Sequence, residues 1–163
     1  MLTWVEGIKD AVKYVDESIE VVVVATGSFD DPIKAKQATD AMASKGCDVI
    51  TQNADACGNG AVEECDALGL VNVGAVGDQS AYGESCFLSV IQDAHQGIAA
   101  AIDEAINGTL KPGPVVMGAN ANVVYLTDYT GKYANLLTDE EKATLQSVWQ
   151  QAHDGIDLHT LTK

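Results

Sequence analysis

Basic residues are scarce in this chain: nine lysines and arginines stand against 24 aspartates and glutamates, for a formal net charge of -15. Nucleic acid and anionic membrane surfaces are bound by faces of the opposite sign, so neither is an expected partner. No apolar run approaches the roughly 18 residues that a membrane span requires, so no membrane insertion is expected. The opening Met1-Leu2-Thr3-Trp4 leads straight into an amphipathic pattern, without the basic stretch, apolar core and cleavage site of a signal peptide. The expectation is a cytoplasmic chain if Met1 is a natural start, or a piece of a longer exported protein if it is not.

Metal and nucleophile signatures are missing as well. Cys47, Cys57, Cys65 and Cys86 are separated by nine, seven and twenty residues, with no Cys-x-x-Cys pair, so zinc spacing is absent. Cys47 and Cys65 fall at apolar positions of a strand and a helix. Buried free thiols are the ordinary reading, with a disulfide and a reactive thiol as alternatives. There is no Gly-x-Ser-x-Gly elbow, and His95, His153 and His159 stand on or beside helical segments without a nearby Cys or Ser motif. They read as surface or packing histidines. No enzyme activity and no cofactor are expected.

What the chain does have is 163 residues and 47% apolar composition, enough for one domain with a real core and too little for two full ones. The first helix is expected from Thr3, which has capping-box spacing with Glu6, along the stripe Val5, Ile8, Val12 and Val15. An apolar run, Val21 to Ala25, reads as the first strand. Asp31 caps a second helix with Pro32 at its first position, Ala35, Ala38 and Met42 facing inward, and Gly46 ending it. Cys47 to Thr51 is the next strand. A third helix with Val62, Cys65 and Leu68 inward stops at Gly69, and Leu70 to Val76 is the third strand.

Repeated strand, loop and helix in this order gives a parallel sheet with right-handed crossovers. Beyond Asp78, Cys86 to Gln92 reads as a strand and Asp93 to Asn107 as a helix, with Ile98, Ile102 and Ile106 in line and Gly108 after it. Val115 to Leu126 reads as one or two strands broken near Asn120 to Asn122. The last helix starts at Thr138, in capping-box spacing with Glu141, and carries Leu145, Val148, Trp149 and Ala152. The fold class is therefore α/β.

In open α/β sheets, ligands bind at loops beyond the carboxyl ends of the strands. Gly27-Ser28-Phe29-Asp30-Asp31-Pro32 is the first such loop. The Phe29 ring either caps the core or stacks on a planar ligand; Asp31 is a helix cap, and Asp30 is freer to face a ligand. The second loop, Gln52 to Gly60, is rich in hydrogen-bonding groups. It lacks both the Lys-Ser/Thr ending of a phosphate loop and the spacing of a dinucleotide fingerprint, so Asn53 and Asp55 suit an uncharged polar ligand better. In the third loop Asp78 either accepts from a vicinal diol or fixes its own turn. Asp93 and His95 beside Gln92 are further polar candidates.

Taken in order, Gly27-Ser28-Phe29-Asp30-Asp31-Pro32, Gly46-Cys47-Asp48-Val49-Ile50, Gln52-Asn53-Ala54-Asp55, Gly58-Asn59-Gly60 and Gly77-Asp78-Gln79 resemble the basic membrane protein (BMP) family. These are PnrA-like substrate-binding lipoproteins of ABC transporters, many of which bind purine nucleosides. The resemblance runs from about Trp4 to Leu158. It implies the type I periplasmic-binding-protein fold: two α/β lobes, flavodoxin-like with helices on both faces of a parallel sheet, closing on a ligand between them.

Residues 1–163 then correspond to one domain, the second lobe, with 89–118 as the segment that crosses back through the hinge. The first lobe, with the signal peptide and lipid-bearing cysteine that place the family outside the cytoplasm on a membrane anchor, has no counterpart in these residues. The resemblance also implies roles. Ser28, Phe29 and Asp30 lie in the loop whose aromatic stacks on the base, Asn53 to Ala56, including Asp55, line the cleft, Asp78 holds ribose hydroxyls, and Gln92 matches a hinge position that reaches the sugar. Many members have Asp-Ser-Asp-Gln where this chain has Val76-Gly77-Asp78-Gln79, and lysine where it has Gln92.

The expected function is solute binding without catalysis, with a nucleoside-like small molecule and, in the full-length family, an ABC transporter permease as partners. The alternative is a lobe repurposed for regulation or interaction. The Ile98, Ile102 and Ile106 stripe would normally face the other lobe. Either a homodimer formed by segment exchange covers it here, or the helix folds back on its own sheet in a flavodoxin-like monomer.

Overall fold

A computed structural model describes residues 2–115 and 117–155. The described residues form an α/β unit of five α-helices and one four-stranded sheet: α1 (Leu2–Val15), α2 (Pro32–Ala43), β1 (Val49–Thr51), α3 (Asn59–Leu68), β2 (Val71–Val76), β3 (Cys86–Gln92), α4 (Ala94–Ile106), β4 (Val124–Leu126) and α5 (Asp139–His153). The strands lie in chain order, β1-β2-β3-β4. The first three are parallel, with Val49 opposite Val71 and Val73 opposite Leu88, and β4 closes the far edge antiparallel through Val90 and Leu126.

Local chemistry explains where most elements start and stop. Asp31 accepts a hydrogen bond from the Ile33 N–H at 3.0 Å, capping α2 directly before Pro32. Gly69 ends α3 in the left-handed region at φ +73°, where a side chain would be strained. Asp93 caps α4 by accepting from the N–H groups of His95 and Gln96. At α5 the capping box is complete: Thr138 Oγ1 accepts from the Glu141 N–H, and the Glu141 carboxylate accepts from the Thr138 N–H at 2.8 Å.

The core sits where α2 and α3 cover β1, with Ala35, Ile50, Ala54, Cys57, Ala61 and Cys65 in one buried cluster. Gly60 lets these two helices approach, since a Cβ there would run into the Pro32 carbonyl. Outside the core, Lys36 and Glu63 pair at 2.6 Å and tie α2 to α3. The pair raises the Lys36 pKa, the hydrogen bond to Glu63 being the main cause. All four cysteines are unpaired, three of them buried and Cys47 half-buried.

Five expectations are corrected. Val21 to Ala25 is extended but pairs with no strand, because among the described residues no backbone lies alongside it to hydrogen-bond. The first helix already begins at Leu2, so Thr3 is inside it rather than its cap, and Glu6 instead binds Lys9 at 3.2 Å. Cys47 and Asp48 fall outside β1, which starts at Val49. Leu68 is 41% exposed rather than inward, at the last turn of α3. Of the Val115 to Leu126 run, only Val124–Leu126 pairs, since the partner stretch of β3 is just Val90 to Gln92; Val116 lies outside the described residues. So does His159.

The stripe of α4 does not fold back on the sheet. Ile98, Ile102 and Ile106 are 59%, 53% and 77% exposed. No helix among the described residues is long and apolar enough to cross a membrane.

Candidate functional site

The carboxyl end of the sheet gathers the three loops anticipated from sequence, and each is stiffened internally. In the first, Ser28 works as the hub: its Oγ accepts from the N–H groups of Asp30 and Asp31 at 3.3 and 3.1 Å and donates to the Asp30 carboxylate at 2.8 Å. Asp30 is thereby turned toward its own loop. Phe29 is 61% exposed while its carbonyl accepts the Cys57 N–H at 2.9 Å. Of the two readings for Phe29, the ring does not cap the core.

The second loop is held by Gln52, whose Oε1 accepts the Ala54 N–H at 2.8 Å. Gly58 is needed beside it, because a Cβ at that position would collide with the Gln52 amide. Asp55 stands in the left-handed region at φ +55°, a conformation that Asp tolerates, and a short 3-10 turn, Asp55–Gly58, leads into α3.

The third loop is the most constrained. Val76 has φ +72°, and the Gly77 N–H reaches back to the Ala75 carbonyl at 2.9 Å, closing a γ-turn on a β-branched residue. Such a conformation is strained for valine, by on the order of 1–3 kcal/mol. Asp78 accepts the Ser80 N–H at 2.9 Å and so fixes its own turn. Behind it Gln79 is buried, its N–H bonded to Ser89 Oγ at 3.0 Å, while its Oε1 has no partner.

A cavity of about 390 Å³ opens beside the first two loops. Ser28, Phe29 and Asn53 all line it, so three of the seven site residues expected from sequence converge at one opening. Asp30, Asp55, Asp78 and Gln92 do not line it. Gln92 is exposed at the end of β3, opposite Val124. Two glutamines went unremarked as site residues: Gln52, which lines the cavity, and Gln79, with its unpartnered amide oxygen. Their place in the two loops was visible in the sequence, but the burial of Gln79 and the half-burial of Gln52 were not.

Acid-base chemistry is poorly served here. The Cys65 thiol, buried under α3, has its pKa pushed up to about 12, chiefly by burial, and Cys86 is raised for the same reason. Both stay protonated and inert at neutral pH. Among the described residues no group of three His, Cys, Asp or Glu side chains converges as a metal site would need.

A family model described as ABC transporter substrate-binding protein PnrA-like (Bmp) matches residues 1–156. Among curated proteins, the transcriptional activator protein med of Bacillus subtilis (strain 168) is 28% identical over 132 residues, covering 78% of this chain and 42% of that protein. Among solved structures, a transcriptional activator of the comK gene from Bacillus halodurans superposes with a TM-score of 0.79 at 23% identity, over 91% of this chain and 51% of that one. An ABC transporter solute-binding protein from Aeropyrum pernix K1 gives a TM-score of 0.71 at 19% identity, over 93% and 50%. The chain thus spans about half the length of the relatives it matches, and the structural likenesses establish the α/β fold of half a periplasmic-binding-protein-like chain.

Proposed function

The chain belongs to the Bmp family of PnrA-like ABC transporter substrate-binding proteins, and from that premise we propose that it is a non-catalytic binding lobe with a regulatory role, exerted through contact with other polypeptides. The observation that carries this reading is the state of the polar groups at the loops. One carboxylate oxygen of Asp78 is held by the Ser80 N–H and one of Asp30 by the Ser28 hydroxyl, so both acids are oriented by their own turns. Val76 stands strained and 44% exposed at the position where many relatives carry an acid. Bonds of this kind hold each acid to its own loop rather than leaving it free to turn toward a sugar hydroxyl.

The relatives favour the same reading, since both the Bacillus subtilis protein and the Bacillus halodurans structure are named as transcriptional activators. A formal charge of -15 disfavours direct contact of these residues with DNA and supports a regulatory contact with protein. The second reading is solute binding for transport, with a nucleoside-like ligand stacked on Phe29, a permease partner and a lipid-anchored, extracytoplasmic whole protein. It is favoured by Ser28, Phe29 and Asn53 lining one cavity.

Removing the gene from its host separates the two. The regulatory reading expects altered transcript levels with nucleoside uptake unchanged. Reduced uptake with transcripts unchanged would contradict it.

A further inference from the structure

The antiparallel register of β4 continues past the end of the strand. Val124, Tyr125 and Leu126 stand opposite Gln92, Ile91 and Val90. Beyond them the Thr127 N–H bonds to the Ser89 carbonyl at 3.0 Å and the Lys132 N–H to the Glu84 carbonyl at 2.9 Å, both in that same register. Between these two the chain slips by one residue, and the Thr130 N–H reaches the Phe87 carbonyl at 2.8 Å. Two threonine hydroxyls interrupt the ladder. The Ser89 N–H donates to Thr127 Oγ1 at 2.9 Å, and Thr130 Oγ1 donates to the Cys86 carbonyl at 2.8 Å. Side chains that bond backbone groups in this way compete with regular pairing, so residues 127–133 lie along β3 as a strap and not as a strand.

The strap lies over buried residues without being buried itself. Cys86, Phe87, Leu88 and Ser89 are all buried, whereas no residue from 127 to 133 is. Its fastenings are mostly polar and near the surface. Lys132 meets the Asp66 carboxylate at 3.2 Å, both side chains being partly exposed, and the Tyr133 hydroxyl donates to the Gly69 carbonyl at 2.6 Å. An ion pair open to water holds weakly. Tyr129 adds one ring contact, 5.1 Å between its centroid and that of Phe87. Segments with few buried apolar groups open locally, at a lower free energy than global unfolding. Gly131 sets the fit: it has φ +64°, and a Cβ there would run into the Glu84 carbonyl.

We propose that residues 127–133 are a releasable strap, and that the β3 edge they cover takes an extended segment of another polypeptide carrying the strap's own pattern, an aromatic followed three residues later by a cation. Opening frees the Ser89 N–H and the carbonyls of Glu84, Phe87 and Ser89 along one edge, and such a row is a template for strand addition. It also parts Phe87 from Tyr129 and Asp66 from Lys132, in a chain whose formal net charge is -15. Those two losses set the chemistry of the incoming segment. The inference concerns an interaction surface and holds whether the lobe regulates or transports.

Hydrogen exchange and peptide binding test it together. In the wild-type chain the amides of Ser89, Thr130 and Lys132 exchange through one shared opening that low urea leaves nearly unchanged, whereas amides of the α2 and α3 core follow global unfolding. Gly131→Ala, which strains the closed strap alone, speeds those three amides about tenfold. The binding probe is a fluorescein-labelled peptide copy of residues 124–133, read by anisotropy. It binds Gly131→Ala tighter than wild type by the same factor as the exchange gain, because the wild type must first open its strap. A copy with alanine in place of the residues matching Tyr129 and Lys132 binds neither chain. Lys132→Ala, which removes only the exposed ion pair, is the second releasing variant should Gly131→Ala fail to fold, and its two factors should again agree. Exchange of Ser89, Thr130 and Lys132 only by global unfolding overturns the proposal. So does equal binding of the two peptides, or no binding to the releasing variant up to about 1 mM.

Discussion

The Cys57 N–H is bonded to the Phe29 carbonyl at 2.9 Å, and this contact locks the first two loops at the end of the sheet to each other. Phe29 is consequently anchored through its carbonyl while the residue stays 61% exposed. An exposed aromatic adds little to folding, so Phe29→Ala is expected to change stability by less than about 1 kcal/mol in urea unfolding. A loss several times larger would mean that the ring packs in solution.

Gly60 is the tightest junction between α2 and α3. A methyl group there meets the Pro32 carbonyl, which is backbone and has little room to yield. Gly60→Ala is expected to lower stability by about 1–3 kcal/mol, as overpacking of a core does. Gly7→Ala, where a Cβ meets nothing within 4 Å, is the matching control and is expected to be neutral or slightly stabilising in the same measurement.

Val76 carries strain that glycine would not. At φ +72° the Val76→Gly variant relieves a conformation unfavourable to a β-branched residue, against a smaller loss from a more flexible unfolded chain. A gain of about 1 kcal/mol is expected, seen as a rise of about 2–4 °C in Tm. An unchanged or lowered Tm would place the γ-turn in doubt.

Two groups set the pH response. Glu141 has its pKa lowered, first by the backbone bond from Thr138 and then by the hydroxyl bond from the same residue. Its support of α5 is present above the ordinary carboxylate range and is lost as pH falls through the lowered value, so far-UV helicity should fall in acid and fall less in Glu141→Gln. Cys65 behaves oppositely. Below 9.0, its ordinary value, the thiol is neutral in both states; between there and about 12 only the unfolded chain ionises, so native stability declines as pH rises. Cys65→Ser should flatten that alkaline slope.

Much of the chain was legible because its signals are local. Cys86 to Gln92 formed the strand expected of it, and the Thr138 and Glu141 box capped α5, because a cap and a buried apolar run depend on residues within a few positions. Val21 to Ala25 misled for the opposite reason. Its composition is that of a strand, but a strand is made by a neighbour, and the place beside it is open. The loops were located correctly, whereas the direction of Asp30 and Asp78 turned on hydrogen bonds to Ser28 and Ser80 that spacing alone left undecided between turn and ligand.

The regulatory reading stands most directly on the claim that these loops no longer hold a nucleoside. Isothermal titration of the chain with adenosine, inosine and guanosine, up to about 1 mM, tests that claim. The account predicts no saturable heat with any of them. Saturable binding that disappears in Phe29→Ala would contradict it and return the lobe to solute capture.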